Sequence, residues 1–190
     1  MRVENALIAR VCHDLITPLN AIGLGMEAYD ATKDEALLNC VRESVNKANA
    51  ILKFMRELYS LKSSTFCYSR SSLQQLVANF LEKYSILFEL QSDFENIPSI
   101  AGKIIMYNAI LAHEILHTGG MFTIKIDDDS REIVATYSGK SVAVPDLNEC
   151  TELNHKNIMR FSLLRMLDDA GFKIATYQEG YRVIIRERMV

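Results

Sequence analysis

Arg10-Val-Cys-His-Asp-Leu-Ile-Thr-Pro-Leu-Asn-Ala-Ile22 decides how the chain reads. Leu7, Val11, Leu15, Pro18, Ile22, Met26 and Tyr29 recur at spacings of three and four through and beyond it. That spacing predicts a long helix with one apolar stripe. Each residue turns a helix by about 100°, so His13 falls nearly opposite the stripe. A lone histidine on a solvated face is ordinary, but its neighbours are chemically suggestive. Asp14 follows directly and can orient or deprotonate the imidazole. Thr17, one turn on, can hold a water or an anionic oxygen. Arg10, one turn back, can neutralise a phosphate. Pro18 inside the helix costs about 3 kcal/mol in an ordinary interior and frees the carbonyl of Asp14, a strain that tends to persist where it serves a site. Cys12 beside His13 invites a Cys/His dyad, but neighbours on a helix point about 100° apart, so the two side chains do not meet well.

Outward from this stretch, Thr32-Lys33-Asp34 breaks the pattern, with Asp34 or Thr32 as the cap of a second helix. Its stripe runs through Leu37, Val41, Ser44, Ala48, Ile51 or Leu52, Met55, and Leu58 or Tyr59. Two such helices joined by a short loop predict an antiparallel hairpin. Two copies packed as a four-helix bundle bury both stripes, which predicts a homodimer. Packing of the hairpin on the rest of the same chain is the alternative. The serine-rich connector Lys62-Ser63-Ser64-Thr65-Phe66-Cys67-Tyr68-Ser69 marks a boundary. It separates residues 1–62, a helical hairpin, from residues 70–190, where helices alternate with β-like runs.

In that second region the spacing predicts helices near Leu73–Tyr84, Gly102–His117 (stopped by Gly119-Gly120) and Lys156–Ala170. Strands are predicted near Ile86–Gln91, Phe122–Ile126 and Glu132–Tyr137, the last two joined by an acidic turn at Asp127–Asp129. A final hairpin pairs Lys173–Tyr177 with Tyr181–Ile185, turned at Glu179-Gly180. Helices on one face of a mostly antiparallel sheet fit this order, so the fold class expected is α+β, with an α/β sandwich following the hairpin.

Composition narrows the class. The 190 residues are 49% hydrophobic and 24% charged, with net charge −3, ordinary for a globular protein that can bury a core. No basic stripe stands out, which argues against nucleic acid. No uninterrupted apolar run suggests a membrane span, and Glu4 and Asn5 interrupt the layout of a signal peptide. Cys12, Cys40, Cys67 and Cys150 are widely spaced with no C-x-x-C pair, so reduced thiols and a cytoplasmic location are expected. His155, between Asn154 and Lys156, reads as a polar neighbour of a helix cap.

Residues 10–22 resemble the phosphoacceptor box of histidine kinases, whose core is His, Glu or Asp, two residues, Thr or Ser, then Pro. They are more similar still to ChpT-type histidine phosphotransferases of alphaproteobacteria, where an Arg-Val-Cys-His-Asp-Leu run is typical. The resemblance is sharp over 10–22, weaker around Glu114–Gly120, and covers the rest in layout only. It implies a hairpin forming a four-helix bundle in the dimer, followed by a degenerate kinase-like domain that binds no ATP. The residues agree with the last point. Asn108 has Ala112 where a kinase helix repeats asparagine, and Tyr137-Ser138-Gly139-Lys140 lacks the Asp and second Gly of an adenine loop. The resemblance further implies a phosphorelay. His13 would take a phosphoryl group from the receiver domain of a CckA-type hybrid histidine kinase and pass it to response regulators of CtrA or CpdR type. Asp14 would hold the other ring nitrogen, and Thr17 and Arg10 would touch the phosphoryl oxygens. Mg²⁺ would come from the partner receiver, with no cofactor of the chain's own. Ile16, Leu19 and Leu24 lie off the stripe and suit either a receiver docking face or a wider bundle core.

One motif competes. His113-Glu114-Ile115-Leu116-His117 fits H-E-x-x-H, in which two histidines a turn apart bind zinc and Glu activates its water. A zinc metalloprotease built on His113, Glu114 and His117 needs a third ligand. Thr123 stands where one type has His, and the candidates for another, Glu149 and Glu152, read as loop. A catalytically inactive dimeric adaptor is the remaining alternative.

Overall fold

The computed structural model describes residues 3–63, 65–127, 132–144, 157–179 and 182–189. Two long helices open the chain, α1 (Val3–Thr32) and α2 (Glu35–Tyr59). Lys33 takes the left-handed conformation, φ 56°, and its N–H donates to the Tyr29 carbonyl at 2.7 Å, closing α1. The Asp34 side chain then accepts from the Ala36 N–H at 2.9 Å and caps α2, an arrangement that satisfies one of the helix's orphan donors. Gly25 lets the two helices touch, since a Cβ there would lie 2.6 Å from Cγ2 of Val41.

The rest of the chain runs β1 (Cys67–Ser69), α3 (Arg70–Leu81), a 3₁₀ turn (Glu82–Tyr84), β2 (Ile86–Gln91), β3 (Asn96–Pro98), α4 (Ser99–Ile115), β4 (Gly120–Asp127), β5 (Glu132–Ser138), α5 (Ile158–Asp169), β6 (Phe172–Glu179) and β7 (Arg182–Met189). Five strands form one sheet in the order β2-β4-β5-β7-β6, with β2 and β4 parallel and every other pair antiparallel. Burial alternates along β2 and β5, so α3, α4 and α5 cover one face, the expected α+β arrangement. Across three neighbouring strands of that face the Phe122 ring stacks on Tyr137 and meets Phe88 at a tilt of 31°. α4 is buried nearly all round, as a helix apolar on every side must be.

α2 serves two masters, which explains why one stripe could not describe it. Ile51, Met55 and Leu58 are buried, and so is Phe54, whose ring stacks on Phe80 of α3 at 3.9 Å. That contact fastens the hairpin to the sheet unit. Leu52, by contrast, is 49% exposed. α1 departs from the expectation in another way, because by length and composition alone it reaches what a membrane span requires. In the structure α1 packs along α2 and carries Arg10, His13, Asp14 and Thr17 on one side. The tip of the β4–β5 turn, the turn at Gly180, Cys150 and the segment with Glu149, Glu152, His155 and Lys156 lie outside the described residues.

Under α4 the core holds a polar cluster. Asn108, fully buried, donates from Nδ2 to Glu187 Oε1 at 2.6 Å and to the Ile104 carbonyl at 3.0 Å, and its Oδ1 accepts from the Tyr137 hydroxyl at 2.6 Å. Burial pushes the Glu187 carboxyl from its ordinary 4.5 up to about 8, against the Asn108 hydrogen bond that lowers it. The carboxyl is therefore protonated at neutral pH. Between those two values the unfolded chain gives up the proton and the folded chain keeps it. Stability is thus highest below about pH 4.5 on this account and falls as pH rises to about 8, with a limiting slope of about 1.4 kcal/mol per pH unit. Glu187→Gln keeps the shape and the acceptor and removes the proton. Urea melts at pH 5.5 and 8 are expected to show the wild type losing stability and the variant holding it; an equal loss in both would clear Glu187 of the effect.

Candidate active site

The phase of α1 brings Arg10, His13, Asp14 and Thr17 to one side, and the structure connects three of them in a line. Arg10 Nε donates to Asp14 Oδ2 at 3.1 Å, and Asp14 Oδ1 lies 3.3 Å from His13 Nδ1. The gradient of exposure is steep: the His13 side chain is 65% exposed, those of Asp14 and Arg10 only 6% and 10%. A carboxylate almost wholly shielded from solvent, with a guanidinium behind it, therefore lies on the Nδ1 side of the ring. Such a partner favours the tautomer with the proton on Nδ1, which leaves the ring's lone pair on Nε2. Arg10 is committed to Asp14 rather than held out toward an incoming anion.

Pro18 is buried directly below, against α2. Thr17 and Pro18 face Ser44, Lys47 and Ile51 of α2 across a cleft of about 360 Å³. The far wall comes from the sheet unit: Lys83 and Tyr84 of the 3₁₀ turn, and His113 of α4. The His113 ring stacks on Tyr84 with centroids 3.9 Å apart and planes at 18°. Its imidazole is held below its usual range, first by burial, then by the nearby Arg10 and Lys83 charges against the opposing pull of Asp14. Burial also lowers the Lys83 ammonium to about 8, with Asp14 raising it and Arg10 lowering it. The Tyr84 hydroxyl is pushed up by burial and stays protonated.

Residues 10, 13, 14 and 17 carry a local signal in the sequence. Lys47, Lys83 and Tyr84 do not, being brought to the cleft only by the packing of α2 and α3 on α1. The one available hint is the polar break Ser44–Lys47 in the α2 stripe, opposite Thr17. His113 is conspicuous in sequence, but as half of a metal motif.

That motif does not assemble. α4 ends at Ile115 and Leu116 leaves helical conformation at φ −109°, ψ 61°, so His117 loses the one-turn relation to His113. Glu114 Oε2 accepts from Arg160 Nε at 2.8 Å, which occupies the would-be base. Among the described residues no three His, Cys, Asp or Glu side chains are grouped to hold a metal. The stretch Ile16, Leu19 and Leu24 splits as well. All are exposed, at 56%, 55% and 67%, but Leu24 continues the His13, Thr17, Asn20 side of the helix, whereas Leu19 shares a side with Ile8.

No protein-family model matches the chain. It is similar to the protein phosphotransferase ChpT of Brucella abortus (strain 2308), 21% identical over 190 residues that cover 94% of this chain and 91% of that protein. Among solved structures it superposes on a bacterial phosphotransferase with a TM-score of 0.85, covering 98% of this chain and 95% of the other at 18% identity. The histidine kinase AdeS of Acinetobacter baumannii superposes with a TM-score of 0.52 at 12% identity, covering 93% of this chain and 96% of that one. The ChpT-type resemblance read from residues 10–22 thus extends over nearly the whole chain, and the hairpin followed by a sandwich is the arrangement of the histidine kinase catalytic fold.

Proposed function

We propose that this protein is a histidine phosphotransferase that relays a phosphoryl group through His13 between receiver domains in a phosphorelay. The line Arg10–Asp14–His13 carries the reading: an exposed imidazole, oriented from Nδ1 by a shielded carboxylate, presents Nε2 for in-line attack on an aspartyl phosphate. The likeness to ChpT supports it. The receiver brings Mg²⁺ and its own lysine, so this chain supplies a positioned nucleophile and no cofactor. A hybrid histidine kinase receiver of CckA type is the donor and response regulators of CtrA or CpdR type are the acceptors.

Residues 1–62 form the phosphotransfer and dimerisation unit, and residues 70–190 a kinase-like unit without nucleotide chemistry. Asn108 supports that division: in the helix where a kinase would spend asparagines on nucleotide, it is turned into the core. The test is incubation with a phosphorylated receiver. Label that moves to this chain in an acid-labile, base-stable form supports the relay. Transfer from no candidate receiver favours the inactive adaptor, and labelling by ATP alone revives a kinase.

The hairpin explains the second part of the reading, a homodimer. Ile8, Leu15, Leu19, Ile22 and Met26 recur at seven, four, three and four along α1, and Ile8, Leu19 and Met26 are 62%, 55% and 40% exposed. Leu38, Val45 and Leu52 repeat every seven residues on α2, the last two 38% and 49% exposed. A coiled-coil face of this kind is rarely left to solvent, and a second copy covers it as a four-helix bundle. Leu19→Glu puts a charge in that seam and is expected to halve the mass measured by light scattering at micromolar concentration. An unchanged mass would remove this face from the interface.

A further inference from the structure

We propose that Lys83, with Lys47 beside it, is the cation that holds the phosphoryl group while it resides on His13. The proposal rests on the relay reading above. In the transfer, a bond forms between His13 Nε2 and phosphorus while the bond from phosphorus to the aspartyl oxygen breaks, and the carboxylate leaves with the electron pair. The proton on Nδ1 stays on the ring. The positive charge that the ring acquires is met by Asp14, which already lies 3.3 Å away. The phosphoryl group itself arrives with two negative charges, and these need cations of their own.

Arg10 is poorly placed to provide one, being 8% exposed and bonded to Asp14 at 3.1 Å. Two lysines line the same cleft as His13 and Thr17: Lys47 from α2 and Lys83 from the 3₁₀ turn of the sheet unit. Lys83 is held in advance. Its Nζ sits 4.4 Å over the Tyr84 ring and 5.1 Å over the Phe80 ring, contacts that attract a cation without neutralising it. Burial has lowered its ammonium to about 8, the mark of a cation short of hydration that gains strongly from an incoming dianion. His113, kept neutral on the same wall, adds no competing charge.

A packing role alone would give Lys83 the same ring contacts, so the experiment must separate the two. Phosphoramidate, which gives up its phosphoryl group and releases ammonia, loads histidine without any receiver. Wild type, Lys83→Met, Lys83→Arg, Lys47→Met and Lys53→Met are loaded in parallel and followed by phosphorus NMR, for loading rate and for the lifetime of the phosphohistidine. Lys53 is on α2, outside the cleft that holds His13 although it shares a neighbouring cavity with Lys47 and Lys83, and controls for a nearby lysine's charge without a place beside His13. Lys83→Met is expected to load about tenfold more slowly, Lys83→Arg to stay within about threefold of wild type, and Lys47→Met to fall between. Lys53→Met is expected to match wild type. Wild-type loading and lifetime in a Lys83→Met protein of unchanged melting temperature would overturn the proposal. If that variant does not fold, the Lys83 Nζ titration in the wild type decides: it moves to higher pH on loading, and no movement overturns the proposal. No label on His13 in the wild type, from phosphoramidate or a phosphorylated receiver, would instead overturn the relay reading and this inference with it.

Discussion

His13→Gln is expected to lower phosphoryl transfer from a phosphorylated receiver by about a thousandfold or more, below detection in an ordinary assay, because no other group can take the nucleophile's part. Glutamine keeps a polar side chain of similar length, and the Arg10–Asp14 bond at 3.1 Å does not involve residue 13, so the helix and that pair are expected to survive intact. Its amide nitrogen has no lone pair available for phosphorus. The side chain replaced is 65% exposed, so melting temperature is expected to change little, which separates loss of chemistry from loss of fold. His117→Ala is the matched control. It lies beyond the end of α4, and transfer at the wild-type rate is expected. Persistent transfer in His13→Gln, or loss in His117→Ala with release of zinc, would move the chemistry away from α1.

The second large effect concerns stability. Asn108→Ala is expected to cost about 3–5 kcal/mol, since it strips partners from two fully buried polar groups and leaves a cavity. The Tyr137 hydroxyl loses its 2.6 Å acceptor and keeps only the backbone carbonyl of residue 108 at 3.2 Å, and Glu187 Oε1 loses its donor at 2.6 Å. For a chain of this size that loss amounts to a fall in melting temperature on the order of 10 °C. Removing all three polar groups together, with Asn108→Leu, Tyr137→Phe and Glu187→Leu, is expected to recover much of the loss, because apolar groups of similar shape leave nothing unpaired. An Asn108→Ala protein melting within 2 °C of wild type would show that the cluster does not hold the core.

How far the sequence alone carries can be judged element by element. β2 was predicted at its observed bounds, Ile86–Gln91, because it alternates buried and exposed residues along its whole length. α4 begins at Ser99, three residues before its predicted start, since Pro98 supplies a helix start that the apolar pattern does not mark. β1 and β3 have three residues each, too few for any alternation to register, and they exist because they pair with each other across 27 residues of chain or more. The same logic governs the site. Arg10, His13, Asp14 and Thr17 are neighbours on one helix, and a period of 3.6 places them. Lys83 and His113 reach the cleft only after α2 and α3 have docked through Phe54 and Phe80, and no local pattern contains that event.

The buried carboxyl of Glu187 has a practical consequence at the bench. Phosphohistidine decomposes in acid, so phosphorelay samples are habitually handled and quenched in alkali. This core softens in that same direction, as a proton it needs becomes harder to keep. The condition that preserves the phosphoryl bond is thus the one in which the Glu187 contribution to stability is lost, and most of that loss falls between about pH 4.5 and neutrality. Lifetimes of the phosphorylated form compared between acid and alkaline samples would therefore carry a stability difference that is complete by about pH 8, and Glu187→Gln is the variant in which to measure them without it.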